Sequence, residues 1–110
     1  MKIDVTMAIL AVLRSGGPGY GLQLIERCKR DSRGAVVPSQ GATYMVIGVL
    51  LAKGLVRSWV EQEPRPESGG RPRRYYELTA KGRKRANADR AMVAALMDCE
   101  LEPPAADGPS

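Results

Sequence analysis

Residues 67–82 constrain the fold more than any other stretch, because a turn, a strand and a helix start follow one another there. Ser68-Gly69-Gly70 supplies glycines, which adopt backbone angles that other residues avoid. From Arg73 to Thr79 the side chains alternate between two faces, which predicts a short strand. Thr79 is a suitable N-cap for the helix expected after it. Three arginines and no acid lie between residues 71 and 74, so this end of the hairpin is suited to bind phosphate.

At 69–82 the sequence reads Gly-Gly-Arg-Pro-Arg-Arg-Tyr-Tyr-Glu-Leu-Thr-Ala-Lys-Gly, which closely resembles the wing and wing-to-helix junction of PadR-like transcriptional regulators. Shorter motifs of that family follow the same order, namely Gly17-Pro18 with Gly21, Gly41-x-Thr43-Tyr44 and Lys53-Gly54-Leu55-Val56. Two features depart from the family pattern. Leu22 stands where the family usually has a tyrosine, and after Tyr44 the chain has Met-Val-Ile-Gly-Val-Leu-Leu-Ala where the family usually carries proline, alanine and basic residues.

The resemblance and the periodicity together predict a mostly α fold with a small β-hairpin. We expect a winged helix-turn-helix DNA-binding domain over 1–79, with three helices near 4–15, 20–32 and 38–53 and a two-stranded wing. Leu22, Ile25 and Cys28 are predicted to share the buried face of the second helix. A C-terminal dimerisation helix is expected over 80–101. The acidic, proline-containing tail 102–110 is expected to be disordered.

Composition favours a nucleic-acid partner and argues against catalysis. The chain has 110 residues, one domain's worth, and a net charge of +5. Residues 71–90 hold eight basic and two acidic residues, whereas the tail from Asp98 holds four acidic residues and no basic one. Such a basic body fits DNA first and an anionic membrane second. With no histidine, no glycine-rich phosphate loop and no paired carboxylates, the chain is not expected to be an enzyme or to hold a cofactor or metal.

Two further features bear on location. Cys28 and Cys99 are far apart and are interpreted as reduced, packed thiols of a cytoplasmic protein. The apolar run Val5–Leu13 is too short to span a bilayer, and we interpret it as the first helix rather than a membrane segment.

The third helix is the recognition helix that the resemblance implies, and its polar residues are concentrated at its start. The predicted DNA-contacting residues there are Ser39, Gln40, Thr43 and Tyr44. On the wing, the predicted phosphate contacts are Arg71, Arg73 and Arg74. Trp59, on the preceding strand, either caps the sheet or stacks on a ligand, and the first alternative is favoured.

The run Met45–Ala52 has no charged residue and is too apolar for one small domain to bury completely. Ile47 and Leu50 fit core positions. The other apolar residues contact thymine methyl groups, the core or a protein partner, and the sequence leaves these alternatives open. The function predicted first is therefore a sequence-specific DNA-binding regulator, with repression as the family's commoner mode. The alternative is a winged-helix module that binds a protein, or DNA without sequence preference.

The apolar surfaces of the first and last helices predict a homodimer, and the resemblance implies that these two helices form its interface. The residues predicted to form it are Val5, Ile9, Met92, Val93, Leu96 and Met97. Compact members of the family can bind small molecules in the pore between subunits, so the resemblance adds a small-molecule effector of unknown identity to the expected partners. Nothing in the sequence names that effector, the operator or the regulated gene.

Overall fold

The computed structural model describes residues 4–62, 66 and 69–100. Residues 99 and 100 are described by their backbone alone. Four helices and three strands follow one another in the order α1 (Val5–Gly16), β1 (Gly19–Tyr20), α2 (Gly21–Asp31), α3 (Gln40–Ala52), β2 (Val56–Val60), β3 (Arg74–Leu78) and α4 (Ala80–Glu100). Most of the predicted wing-tip loop and the whole predicted tail lie outside the described residues.

Three helices begin at a side chain that accepts a hydrogen bond from the first turn. Asp4 Oδ1 accepts from the Met7 amide at 2.9 Å, and Ser39 Oγ accepts from the Ala42 amide at 3.0 Å. Thr79 Oγ1 accepts from Gly82 N–H at 3.0 Å, which confirms the predicted cap of α4. These caps place the helix starts within one or two residues of the predicted positions.

The sheet has three antiparallel strands in the order β1-β3-β2, one strand more than the sequence predicts. The hairpin β2–β3 pairs Val56 with Leu78 and Trp59 with Tyr75. On the other edge, Gly19 and Tyr20 of β1 pair with Tyr76 and Tyr75. A two-residue strand is too short to show an alternating pattern, so β1 has no periodic signal in the sequence. The architecture is nevertheless the predicted winged helix followed by a fourth helix.

The core lies between α1, α2, α3 and the inner face of β3. Ile9, Leu10, Leu24 and Leu50 are its largest fully buried apolar side chains. The buried face predicted for α2 is wrong at Leu22, because Leu24 is buried instead and Leu22 is 51% exposed. The helix begins at Gly21, and its buried residues therefore recur at 21, 24 and 28. Cys28, as predicted, is packed in the core.

The start of α4 is held against the turn that follows α3. Thr79 N–H donates to Leu55 O at 3.0 Å, and Thr79 Oγ1 donates to Gly54 O at 2.7 Å. Gly82 lies so close that a Cβ atom there would be 1.8 Å from Leu55 O. These contacts join α3, the wing and the first turn of α4 in one packed unit. The direction of the rest of α4 follows from this fixed first turn.

Candidate nucleic-acid interface

The candidate interface is built on α3, whose two sides have different surroundings. Thr43, Ile47 and Leu50 form the inner stripe, at 0%, 2% and 1% exposure. The opposite side is exposed over its whole length and is called the outer face of α3. It consists of Gln40, Gly41, Tyr44, Met45, Gly48, Val49 and Ala52. The spacing of these residues, in adjacent pairs that recur every four positions, is that of one side of a helix.

The four residues of α3 that are predicted to contact DNA differ in their exposure. Ser39 and Gln40 are exposed at its start, and Ser39 also caps the helix. Thr43 has no exposed surface, and its hydroxyl donates to Ser39 O at 2.8 Å. The predicted contact between Thr43 and DNA is therefore wrong, because a residue one turn beyond an N-cap on the inner side faces the core. For Ser39, Gln40 and Tyr44, contact with DNA stays a prediction.

Tyr44 connects α3 to the base of the wing. Its ring lies against Gly21, where an added Cβ atom would be 2.2 Å from the Tyr44 hydroxyl oxygen. The pKa of the nearby Tyr76 is raised, first by burial and then by the ionised form of Tyr44, while Arg74 acts in the opposite direction. Gly21 directly follows β1, which pairs with β3, so Tyr44 lies where α3 meets the wing. The outer face of α3 and the basic strand consequently adjoin each other.

The three wing arginines differ in how firmly they are held. Arg74 is exposed, and its Nη1 donates to Ser58 Oγ at 3.2 Å. Arg73 is half-buried, with its guanidinium 4.4 Å from the centre of the Tyr20 ring. The backbone N–H of Arg73 also donates to Glu61 Oε2 at 3.2 Å. Arg71 is exposed beyond the strand. Of these three arginines, one is therefore held over a ring and two are exposed.

An aromatic row crosses the outer side of the sheet. Tyr20, Tyr75 and Trp59 lie on neighbouring strands; Tyr20 meets Tyr75 edge-on at 5.7 Å, and Trp59 stacks on Tyr75 at 5.8 Å between centroids. The favoured interpretation of Trp59 as a packed side chain agrees with this stacking. The role of Tyr20 in this row was not predicted from the sequence, because its position in β1 depends on pairing with a strand 55 residues away.

The surface around α3 carries cations but few acids. No aspartate or glutamate occurs between residues 32 and 60 of the chain. Of the acids on the wing strands, Glu77 forms an ion pair with Arg57, and the Arg57 Nε–Glu77 Oε1 distance is 2.7 Å. Within the described part of the chain, no three His, Cys, Asp or Glu side chains cluster as metal ligands would. No helix among the described residues has the length and hydropathy needed to cross a membrane.

The residues predicted for dimerisation fall into two groups. Ile9 is fully buried within its own chain, so its predicted contact with a partner is wrong. Val5 and Val93 are half-buried, whereas Met92, Leu96 and Met97 are 49%, 45% and 52% exposed. An open groove of about 480 Å³ runs between α1 and α4; its lining includes Met7, Leu10, Ala11, Ala86, Asp89 and Val93.

An exposed third helix adjoining a basic β-hairpin, on a core of three helices, defines a winged helix-turn-helix protein. The model of the "Transcriptional regulator PadR-like family" matches residues 9–88. The chain belongs to this family of DNA-binding transcription regulators, as its motifs at 69–82 predict. No curated protein matches the chain.

Solved structures agree with this assignment. A PadR-like transcription factor from Bacteroides fragilis has a TM-score of 0.69 and 22% identity, covering 86% of this chain and 84% of that one. A PadR family regulator from Eggerthella lenta has a TM-score of 0.65 and 26% identity, over 86% of this chain and 75% of its own. A PadR family regulator from Clostridium difficile has a TM-score of 0.66 and 20% identity, over 90% of this chain and all of that one.

Proposed function

We propose that the protein is a dimeric, sequence-specific DNA-binding regulator of transcription that acts as a repressor. The observation that carries this proposal is the junction of α3 with the wing. Tyr44 packs on Gly21, which directly follows β1, and β1 pairs with β3 of the wing. A side that can enter the major groove therefore adjoins cations that can hold the flanking phosphates. Repression is the expected mode because it is the commoner one in the family.

In this proposal α3 and the wing have different tasks. Gln40, exposed in the first turn of α3, carries an amide that can pair with an adenine edge in the major groove. Arg74 and Arg71 are long cations at the end of a hairpin, and they hold phosphates without regard to sequence. Arg73 is drawn over Tyr20, so part of its effect is to hold β1 against the wing.

The dimer of the proposal is supported by α4. Of its residues whose burial the structure describes, the buried ones are Gly82 and Ala86, in its first two turns. The same side of the helix continues through Asp89 and Val93 to Leu96, with less and less cover from its own chain. A second α1–α4 pair would cover this side and would bring two copies of α3 to successive major grooves, about 34 Å apart. An effector, if one exists, would act in the groove between α1 and α4, since filling it changes the packing of both.

The test begins with selection of bound duplexes from random DNA by the purified full-length protein, followed by affinities at two salt concentrations. We expect a palindromic site. Arg74→Ala should weaken binding to that site and to random DNA equally, and should reduce the salt slope by about 0.9 per subunit if it holds one phosphate. Gln40→Ala should cost about 1–3 kcal/mol on the selected site and little on random DNA.

A set of selected duplexes with no shared sequence would contradict the proposal of sequence-specific binding. A silent Gln40→Ala combined with loss of site preference in Arg74→Ala would assign reading to the wing instead. In that case the apolar outer face of α3, where Met45 is 72% exposed, would be better explained as a surface for a protein partner.

A further inference from the structure

The outer face of α3 changes chemistry after its first turn. Gln40 and Tyr44 carry polar groups, but no side chain from Met45 to Ala52 has an N–H or O–H donor or an oxygen acceptor. Met45 is 72% exposed and Val49 is 47% exposed, although both stand on a helix whose inner stripe is fully packed. Hydrogen bonds to base edges are therefore unavailable to the second and third turns, and any reading by them must use apolar contact.

The charges around this face favour a polyanion over an apolar protein. Arg33 precedes α3 and Lys53 follows it, and the segment between residues 32 and 60 contains no acid. At the C-terminal end of α3, Lys81 Nζ donates to Lys53 O at 3.0 Å, which adds a second cation there. On the side of Tyr44, the wing with its arginines is joined to α3 through Gly21, which follows the strand β1 that pairs with β3. A neutral strip bordered by cations at both ends complements a DNA groove, whose floor of bases is bordered by phosphates.

We propose that Met45 and Val49 read thymines through their C5-methyl groups. This inference rests on the proposed function and specifies the bases that α3 selects. Thymine is the base that presents an apolar group in the major groove. The two side chains are four residues apart, or about 6 Å along the helix, which corresponds to about two base-pair steps. The preferred half-site therefore contains two thymines within two steps of each other, on either strand, beside the base read by Gln40.

Two glycines on the same face are consistent with close approach to the base edges. Gly41 and Gly48 are seven residues apart, and a Cβ atom added at either would meet no atom within 4 Å. Neither glycine is therefore required by packing within the chain, although glycine is a poor helix former. Without side chains at these positions, the α3 backbone can lie deeper in the groove, and this brings Met45 and Val49 within contact distance of the methyl groups.

The test uses the duplex selected with the full-length protein and replaces its thymines one at a time with deoxyuridine. This change removes the methyl group and keeps every hydrogen-bonding atom of the base. For the unmodified protein, affinity should fall roughly fourfold at each thymine that is read, the equivalent of burying one methyl group. In Met45→Ala and Val49→Ala, the thymine paired with the removed side chain should become insensitive to deoxyuridine. Leu51→Ala is the matched control, since Leu51 is 37% exposed but lies about 120° or more around α3 from Met45 and Val49, and it should leave both sensitivities unchanged.

The possible results separate the inference from the function on which it rests. If a specific site is selected but deoxyuridine is harmless at every position, the thymine inference is overturned and sequence-specific binding stands. The same conclusion holds if the sensitivities are unaltered in Met45→Ala and Val49→Ala. If no sequence is selected, both the thymine inference and the proposed sequence-specific binding are contradicted. Thermal melts of the three variants check that each is folded, which is expected because the changed side chains are exposed.

Discussion

Among single residues, the position of the Tyr44 side chain depends on Gly21, a neighbour that has no side chain. A Cβ atom at Gly21 would be 2.2 Å from the Tyr44 hydroxyl oxygen and 2.6 Å from the ring carbon that bears it. Because Tyr44 is 46% exposed, it can swing outward to relieve the clash. Gly21→Ala should therefore leave the protein folded but displace Tyr44 from the base of the wing.

The measurement is DNA affinity in a double-mutant cycle of Gly21→Ala with Tyr44→Ala. If the alanine at 21 acts by moving the tyrosine, the two changes are not additive and the double variant binds like Tyr44→Ala alone. Additive losses would show that Gly21 matters for another reason, such as the start of α2. A thermal melt of each variant shows whether a loss of affinity is a loss of folded protein.

Cys28 gives a prediction about pH. Burial, with a smaller effect from Asp31, raises the pKa of its thiol from 9.0 to about 11. The folded state thus favours the neutral thiol, and the stability that this provides is complete below pH 9 and is lost as pH rises towards 11. Between pH 8 and pH 10.5, the unmodified protein should lose more free energy of unfolding than Cys28→Ala does.

Denaturant titrations of the two proteins at both pH values measure this difference, with Cys99→Ser as a common background. Equal losses in the two proteins would show that Cys28 does not titrate differently in the folded and unfolded states. In the same background, Cys28 should also resist a thiol reagent at pH 8 until denaturant is added, since a buried neutral thiol is a poor nucleophile.

At the scale of the elements, glycines in two helices should respond in opposite ways to the same substitution. At Gly82 an added Cβ would be 1.8 Å from the backbone oxygen of Leu55, which cannot swing aside. Gly82→Ala must separate α4 from the turn after α3 and should cost at least about 1–3 kcal/mol, as overpacking does. At Gly48 the added Cβ meets no atom within 4 Å, and alanine should stabilise α3 by about 1 kcal/mol.

Chemical denaturation of both variants tests this pair, and DNA binding adds a second readout. If the outer face of α3 lies deep in a groove, Gly48→Ala should bind its site more weakly although it is more stable. A more stable variant with unchanged affinity would show that close approach at residue 48 is not needed. A Gly82→Ala variant as stable as the unmodified protein would contradict the packing described for the start of α4.

The elements also show what could be predicted from the sequence. The cap at Thr79 and the strand leading to it were predictable because each depends on residues within one turn or one strand. β1 was not predictable, because its two residues become a strand only by pairing with β3. The phase of α2 was predicted wrongly, since Leu22 and Leu24 are equally apolar and tertiary packing alone chooses between them.

The same distinction applies to the candidate site. The exposed start of α3 and the basic wing follow from local composition, and both were predicted. The burial of Thr43 depends on which side of α3 meets the core, and a helix that is apolar all round does not reveal that side. The position of Arg73 over Tyr20 requires β1 and was therefore missed as well.

At the scale of the whole molecule, the proposed dimer depends on α4. Its 21 residues make a helix about 31 Å long, yet the described residues beyond Ala86 include none that is fully buried. Met92, Leu96 and Met97 are half exposed on the continuation of the side that packs on α1. A helix half that exposes so much apolar surface is marginal alone in water, so a second chain is expected to cover it.

Leu96→Glu tests this expectation, because it places a charge on the apolar side and leaves the DNA-facing elements untouched. Disrupting the centre of an interface costs about 2 kcal/mol or more, so the dimer dissociation constant should rise roughly 30-fold or more. Light scattering over a range of concentrations measures the mass, and DNA affinity should fall in parallel because two linked copies of α3 bind better than one. Ala91→Glu is the control: it adds the same charge to the opposite, exposed side of α4 and should leave the mass unchanged. If the unmodified protein has the mass of one chain and remains folded at micromolar concentration, α4 does not form the proposed interface.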